Sequence, residues 1–197
     1  MSEETRRYWD EQAATFDDEA DHGLRDPAVR EAWAGLLLPL LPGAPARVVD
    51  LGCGTGSLAL LLGEAGHDVH GVDLSPRMVE AARAKVAAAG LAARFDVADA
   101  AAPPVEPGTV DVVLARHVLW AFEDPAAVLA AWIALLKPGG VLLLVEGRWA
   151  TGAGITARDC EALVRRYRED ARVRMLPDPS LWGGDITDER YLLVSSR

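Results

Sequence analysis

Val48-Val49-Asp50-Leu51-Gly52-Cys53-Gly54-Thr55-Gly56 is a short apolar run that ends in a carboxylate and breaks at once into alternating glycines. It reads as a strand, a tight turn and the start of a helix, with Ser57 to Gly63 as the helix-forming segment behind it. Glycines at this spacing let the backbone turn sharply and approach a ligand closely, because no Cβ stands in the way. The helix amino terminus behind them favours a negative group such as a carboxylate. The spacing Gly52-x-Gly54-x-Gly56 is not the dinucleotide G-x-G-x-x-G, so the surrounding segments must decide the fold.

Outward from the turn, His67 to Asp73 reads as a second strand that ends in a carboxylate about 20 residues after Gly52. At the tip of a neighbouring parallel strand, such a side chain can take both hydroxyls of a ribose. The runs 92–98 and 110–115 lead in the same way to Asp99-Ala100 and to Arg116-His117. Ligands of open parallel sheets bind outside the carboxyl ends of the strands, which turns Asp50, Asp73, Asp99 and Arg116 toward one crevice. Strands near 47–51, 68–73, 92–98, 110–115 and 140–146 alternate with helices near 57–65, 75–89 and 125–136. That alternation predicts an α/β fold with a doubly wound, mostly parallel sheet. Lys137-Pro138-Gly139-Gly140 reads as the turn before the fifth strand. A helix near 156–170, a strand near 172–176 and a last strand at 191–195 complete the chain. Ahead of the sheet, Met1 to Leu41 reads as two helices, the second opening at Pro27, with the breaker-rich Pro42-Gly43-Ala44-Pro45 as link.

The 197 residues suffice for one domain with a substantial core, without room for a separate substrate domain. Residues 1–45 are expected to form an N-terminal helical lid and 46–197 the core. The formal net charge of −10 opposes a nucleic-acid partner, since such binding rests on clustered Lys and Arg. The cluster Arg165-Arg166-Tyr167-Arg168 is interleaved with Glu161, Glu169 and Asp170 and reads as a solvated helix face. Apolar runs such as Val141 to Val145 are too short to cross a bilayer, and Met1 to Gln12 has no signal-peptide core, so a cytoplasmic enzyme without a membrane partner is expected. The two cysteines, Cys53 and Cys160, lack metal-ligand spacing and read as reduced thiols.

Five segments in order carry a resemblance to the class I S-adenosylmethionine-dependent methyltransferases: VVDLGCGTG (48–56), GVDLSPRMVEAAR (71–83), VADA (97–100), DVVLARHVLW (111–120) and LLKPGGVLLLVEG (135–147). The resemblance implies a Rossmann-like methyltransferase fold of seven strands, with the last two an antiparallel pair at one edge, and S-adenosyl-L-methionine as cofactor. It places Gly52, Gly54 and Gly56 at the methionine end and Asp73 at the ribose, with Asp50 also counted to the cofactor site. Leu74 and Met78 would flank the adenine, Asp99 with Ala100 would meet its amino group, and Arg116 would contribute mainly backbone near the sulfonium.

Methyl transfer from a sulfonium is an in-line displacement that requires positioning and, for a protonated acceptor, a base. His117, directly after the fourth strand, and His22, in the acidic Asp21-His22-Gly23, are the candidate bases, while His67 and His70 read as structural. Among six tryptophans, Trp33 and Trp132 fall on apolar helix faces and belong in the core. Trp120, Trp149 and Trp182 follow strand ends or lie in loops and are candidate acceptor-pocket walls, with Tyr8 and Trp9 closing from the lid. Arg148 would suit an acceptor carboxylate by fork pairing, or would pair with Glu146, Asp185 or Glu189. The Asn/Asp-Pro-Pro-Tyr sequence of base and amide methylation is absent after the fourth strand, and no metal-ligand spacing is present. The expectation is a metal-independent enzyme, monomer or homodimer, that methylates an oxygen or nitrogen of a small molecule. The rivals are a methyltransferase acting on protein or RNA, a non-catalytic S-adenosylmethionine-binding regulatory protein and, with the wrong glycine spacing, a nicotinamide oxidoreductase.

Overall fold

The computed structural model describes residues 2–196; Met1 and Arg197, the ends of the expected 1–197 domain, lie outside the described residues. Seven strands form one sheet in the order β3-β2-β1-β4-β5-β7-β6. They are β1 (Arg47–Leu51), β2 (Asp68–Asp73), β3 (Arg94–Val97), β4 (Val110–Arg116), β5 (Leu136–Arg148), β6 (Arg172–Met175) and β7 (Glu189–Ser195). The first five run parallel, and β7 lies antiparallel between β5 and β6. The strand order reverses between β1 and β4, so the crevice opens at the carboxyl ends of those two strands.

Central strands are buried on both faces, which is why β1 and β4 read as continuous apolar runs. On one face pack α3 (Pro27–Leu37), α4 (Ser57–Glu64) and α5 (Pro76–Ala88), through Trp33, Leu58, Leu62 and Val79. On the other lie α6 (Pro125–Ala134) and α7 (Ala157–Val164), through Leu129, Trp132, Cys160 and Val164. Helix starts follow their sequence signals: Asp26, Ser75, Asp124 and Thr156 each accept a backbone N–H of the first turn, and Pro27, Pro76 and Pro125 stand at the first helical positions. No described helix is long and apolar enough to cross a membrane.

Four segments differ from the sequence reading. Lys137 to Gly140 does not precede β5 but lies inside it. Pairing with β4 begins at Val110↔Leu136, resumes at Val112↔Val141, and the extra residues bulge out with Gly139 at φ +76°. The helix expected to reach residue 170 stops at Val164, and Arg168 turns inward rather than facing solvent, donating to Ser195 Oγ at 2.7 Å and to the Gly140 carbonyl at 2.8 Å. The strand expected over 92–98 is confined to Arg94–Val97. The amino-terminal region is broken into α1 (Glu3–Gln12), a 3-10 turn at Phe16–Asp18, α2 (Ala20–Gly23) and α3. Of these, α3 is core, with Trp33 and Leu37 fully buried, and the lining that the described amino-terminal residues give the crevice comes from between Ser2 and His22.

Candidate active site

A cavity of about 980 Å³ lies over the carboxyl ends of the parallel strands, between the sheet and the amino-terminal segment. Its floor begins at the glycine turn, where Gly52 and Cys53 both donate to the Val72 carbonyl, at 2.7 and 3.1 Å, and Gly52 and Gly54 adopt φ of +73° and +53°. A Cβ on Gly52 would overlap the Val118 side chain, and one on Gly54 would sit 3.0 Å from the Phe16 ring, so both glycines are required by conformation and by space.

Asp73 ends β2 on the cavity wall. Its Oδ2 accepts the Gly54 N–H and its Oδ1 the Ser75 N–H, both at 2.9 Å. Burial raises its pKa, opposed by these two amide bonds. Each carboxylate oxygen keeps a further lone pair, so a diol can be received without breaking either bond. Leu74, Met78 and Ala100 continue the wall as an apolar slot. This cradle, with two glycines that exclude a Cβ and a carboxylate beside an apolar slot, fits a nucleoside with an attached small chain.

The expected site residues separate into two groups. Gly52, Gly54, Asp73, Leu74, Met78, Ala100, Arg116, His117, His22, Tyr8, Trp120, Trp149 and Trp182 all line the cavity. Asp50, Gly56, Asp99 and Arg148 do not. Asp50 is enclosed beneath the turn in a central strand, where burial pushes its pKa to about 7 and its Oδ2 finds no partner among the described residues. Gly56 faces α5: a Cβ there would meet Ala82 at 2.8 Å. The Asp99 carboxylate turns to the Ala101 N–H at 2.9 Å. Arg148 is exposed and donates to the Gly154 carbonyl at 3.2 Å, and among the described residues it forms no ion pair with Glu146, Asp185 or Glu189, the alternative partners read from the sequence.

His117 stands where β4 leaves the sheet, in the left-handed region at φ +60°, with its N–H donated to the Val145 carbonyl at 2.8 Å. Its ring lies edge-on to Trp149, centroids 5.2 Å apart, and its carbonyl accepts from Trp120 Nε1 at 3.0 Å. Burial, then the neighbouring cations Arg116 and Arg190, hold its pKa well below the usual imidazole value. It is therefore a neutral imidazole, and its Nδ1 has no partner among the described residues. His22, brought in by α2, stacks on Phe16 at 4.3 Å; burial lowers its pKa too, and its Nδ1 is likewise without a described partner.

Arg116 does more than the expected backbone role. Its guanidinium lies 5.1 Å from the Trp33 ring centroid and donates to the Asp21 carbonyl, which ties the amino-terminal segment to the sheet. Further ties hold the same segment. Asp10 accepts from Ser75 Oγ at 2.6 Å, and Asp17 accepts from Thr55 Oγ1 while pairing with Lys85 at 2.8 Å. Sequence reasoning missed Phe16 and Arg190, both on the cavity wall; Phe16 carried no motif, and the side to which Arg190 points depends on the antiparallel register of β7.

Glu146, on β5, is fully buried behind the wall and fixes the turn that presents His117. Its Oε1 accepts the N–H groups of Val118 and Leu119 at 3.0 and 2.8 Å. Burial raises its pKa to about 8 in spite of those bonds. The folded protein thus retains a proton that the unfolded chain releases above about pH 4.5, and Glu146 makes stability fall as pH rises through that window up to about 8. At about 1.4 kcal/mol per pH unit, the loss from this group between about pH 5.5 and 7.5 is about 3 kcal/mol. Urea titrations of Glu146→Gln should show a correspondingly flatter decline; a slope equal to that of the unchanged protein would contradict the buried, proton-holding carboxyl.

Residues 49–144 match the family of methyltransferase domains. An uncharacterized methyltransferase of Mycobacterium bovis is 36% identical over 172 residues, which cover 80% of this chain and 67% of that protein. A demethylmenaquinone methyltransferase of Thermus thermophilus is 42% identical over 108 residues, 54% of this chain and 49% of that protein. The chain spans about half the length of this relative and of the ubiquinone-biosynthesis O-methyltransferases it also matches. Among solved structures, the magnesium protoporphyrin IX methyltransferase of Synechocystis, with S-adenosylmethionine bound, superposes with a TM-score of 0.65 at 25% identity, over 87% of this chain and 77% of that one. The glycine turn and the acid-tipped β2 fall within the matched residues 49–144, and the chain belongs to the class I S-adenosylmethionine-dependent methyltransferases.

Proposed function

We propose that the protein transfers a methyl group from S-adenosylmethionine to an oxygen or nitrogen of a small molecule. The observation that carries this reading is the division of one cavity into two unlike halves. One half is Asp73, the glycine turn, Leu74, Met78 and Ala100; the other is aromatic, built from His117, Trp120, Trp149 and Trp182. Sites for one drug-sized ligand run to about 300–1,000 Å³, and the present cavity stands at the upper end, with space for a donor and a compact acceptor.

The donor supplies an electrophilic methyl on a positively charged sulfur. Asp73 would hold the ribose, and the turn, without a Cβ at Gly52 or Gly54, would let the chain end lie close against the backbone. The residues of the other half orient the acceptor and exclude water, so that most of the rate comes from positioning. His117 accepts a hydrogen bond from the acceptor's O–H or N–H and takes its proton as the new bond forms; its depressed pKa keeps it in the required neutral form. His22 approaches from the lid and supplies a second neutral imidazole. The lid places Tyr8 and Trp9 over the donor half, since α1 is tied to the start of α5 by Asp10.

With a net charge of −10 and a cavity partly covered by its own amino-terminal segment, the site suits a diffusible acceptor rather than nucleic acid, acting in the cytoplasm as a monomer or homodimer. Incubation with methyl-labelled S-adenosylmethionine and a bacterial extract, fractionated by size, tests this. Label should enter the low-molecular-weight fraction. Label confined to protein or RNA would overturn the small-molecule reading.

A further inference from the structure

Resting on the assignment of the aromatic half to the acceptor, we propose that the acceptor bears a carboxylate, and that Arg190 receives that carboxylate.

Arg190 lies on the cavity wall with its guanidinium between two indoles, 5.0 Å from the centroid of Trp149 and 5.4 Å from that of Trp182. The β5–β7 register sets it opposite Gly147, and a Cβ on Gly147 would come within 2.9 Å of the Arg190 side chain. The glycine thus leaves room for the stem, and stem and head are both fixed. One terminal nitrogen, Nη1, pairs with Asp188 at 2.8 Å. Nε is buried and has no partner among the described residues.

A charged donor that stays unmet in a buried site is costly, and most buried polar groups find a partner. A guanidinium has two edges suited to forks, and Asp188 engages the Nη1 side only. The side that includes Nε is left for a second oxyanion. Elsewhere on the wall the charge is distributed differently. Glu4, Glu19 and Asp21 approach from the lid, and the other cation, Arg116, is committed to the Asp21 carbonyl and the Trp33 face. An acceptor's negative group is therefore drawn to the Arg190 end of the aromatic half. Trp120 and Trp149, tilted by 57° with centroids 5.2 Å apart, and the His117 ring edge-on to Trp149 give the body of a carboxylate-bearing acceptor an aromatic surface to pack on. The fork once expected of Arg148 is thereby assigned to Arg190.

Calorimetry of the protein saturated with S-adenosylhomocysteine, titrated with 4-hydroxybenzoate and with 4-hydroxybenzamide, separates charge from shape. The carboxylate should bind at least about tenfold more tightly than the amide. In Arg190→Met that preference should fall to within about twofold, and in Arg190→Lys, which keeps the charge without the fork, it should be intermediate. The affinity of each variant for S-adenosylhomocysteine reports whether it is folded and whether the donor half is sound. Equal binding of the two probes, binding of neither, or a preference that survives in Arg190→Met would overturn the assignment; failure to bind S-adenosylhomocysteine would instead overturn the functional reading beneath it.

Discussion

His117→Asn is expected to lower the methyl-transfer rate at saturating donor and acceptor by about 100-fold or more, with donor affinity changed less than about threefold. Asparagine tolerates the left-handed backbone that this position requires at φ +60°, so the turn held by Glu146 should survive. It cannot take a proton. His117→Ala removes every polar side-chain atom and adds strain at the same φ, so the asparagine variant is the cleaner comparison. Because the imidazole stays neutral well below the usual range, the rate of the unchanged enzyme should not fall as pH drops from 8 to 6.5 through protonation of His117. An asparagine variant with a normal rate would remove His117 from proton transfer and leave positioning alone.

Asp73→Ala should weaken S-adenosylhomocysteine binding by at least about tenfold, or about 1.4 kcal/mol. The substitution removes the acceptor for the ribose and orphans the N–H groups of Gly54 and Ser75, two amides that shape the floor of the donor half. Asp73→Asn distinguishes these effects, since its carbonyl can retain one of the amide bonds while the charge is lost. Calorimetric affinity unchanged in a folded Asp73→Ala protein would contradict the placement of the ribose.

The parts of the site that were legible in the sequence are those tied to strand ends. A buried parallel strand must be apolar until it leaves the sheet, so the first polar residue marks the crevice, as at Asp73 and at Arg116-His117. The same rule overreached at Asp50, which still lies within β1 with neighbours on both sides; the turn glycines after it, rather than the acid, reach the cavity. Side-chain direction on the antiparallel edge was not legible, because a shift of one residue in the register of β5 and β7 exchanges the cavity for the surface. Arg148 and Arg190 fall on opposite outcomes of that choice. Nor was the bulge at Lys137 to Gly140 visible, since Pro-Gly-Gly signals a turn with equal force whether it ends a strand or interrupts one. The lid was seen as helical, yet Phe16 and the Asp10 and Asp17 ties rest on contacts far apart in sequence that no local pattern encodes.

The most direct measurement is isothermal titration of the purified protein with S-adenosylmethionine and S-adenosylhomocysteine, with NADH as the control ligand. Saturable one-site binding of the first two and none of the third is the result expected from the glycine turn, Asp73 and the apolar slot at Leu74, Met78 and Ala100. Binding of NADH in their place, or of none of the three, would contradict the donor site on which every role assigned here depends.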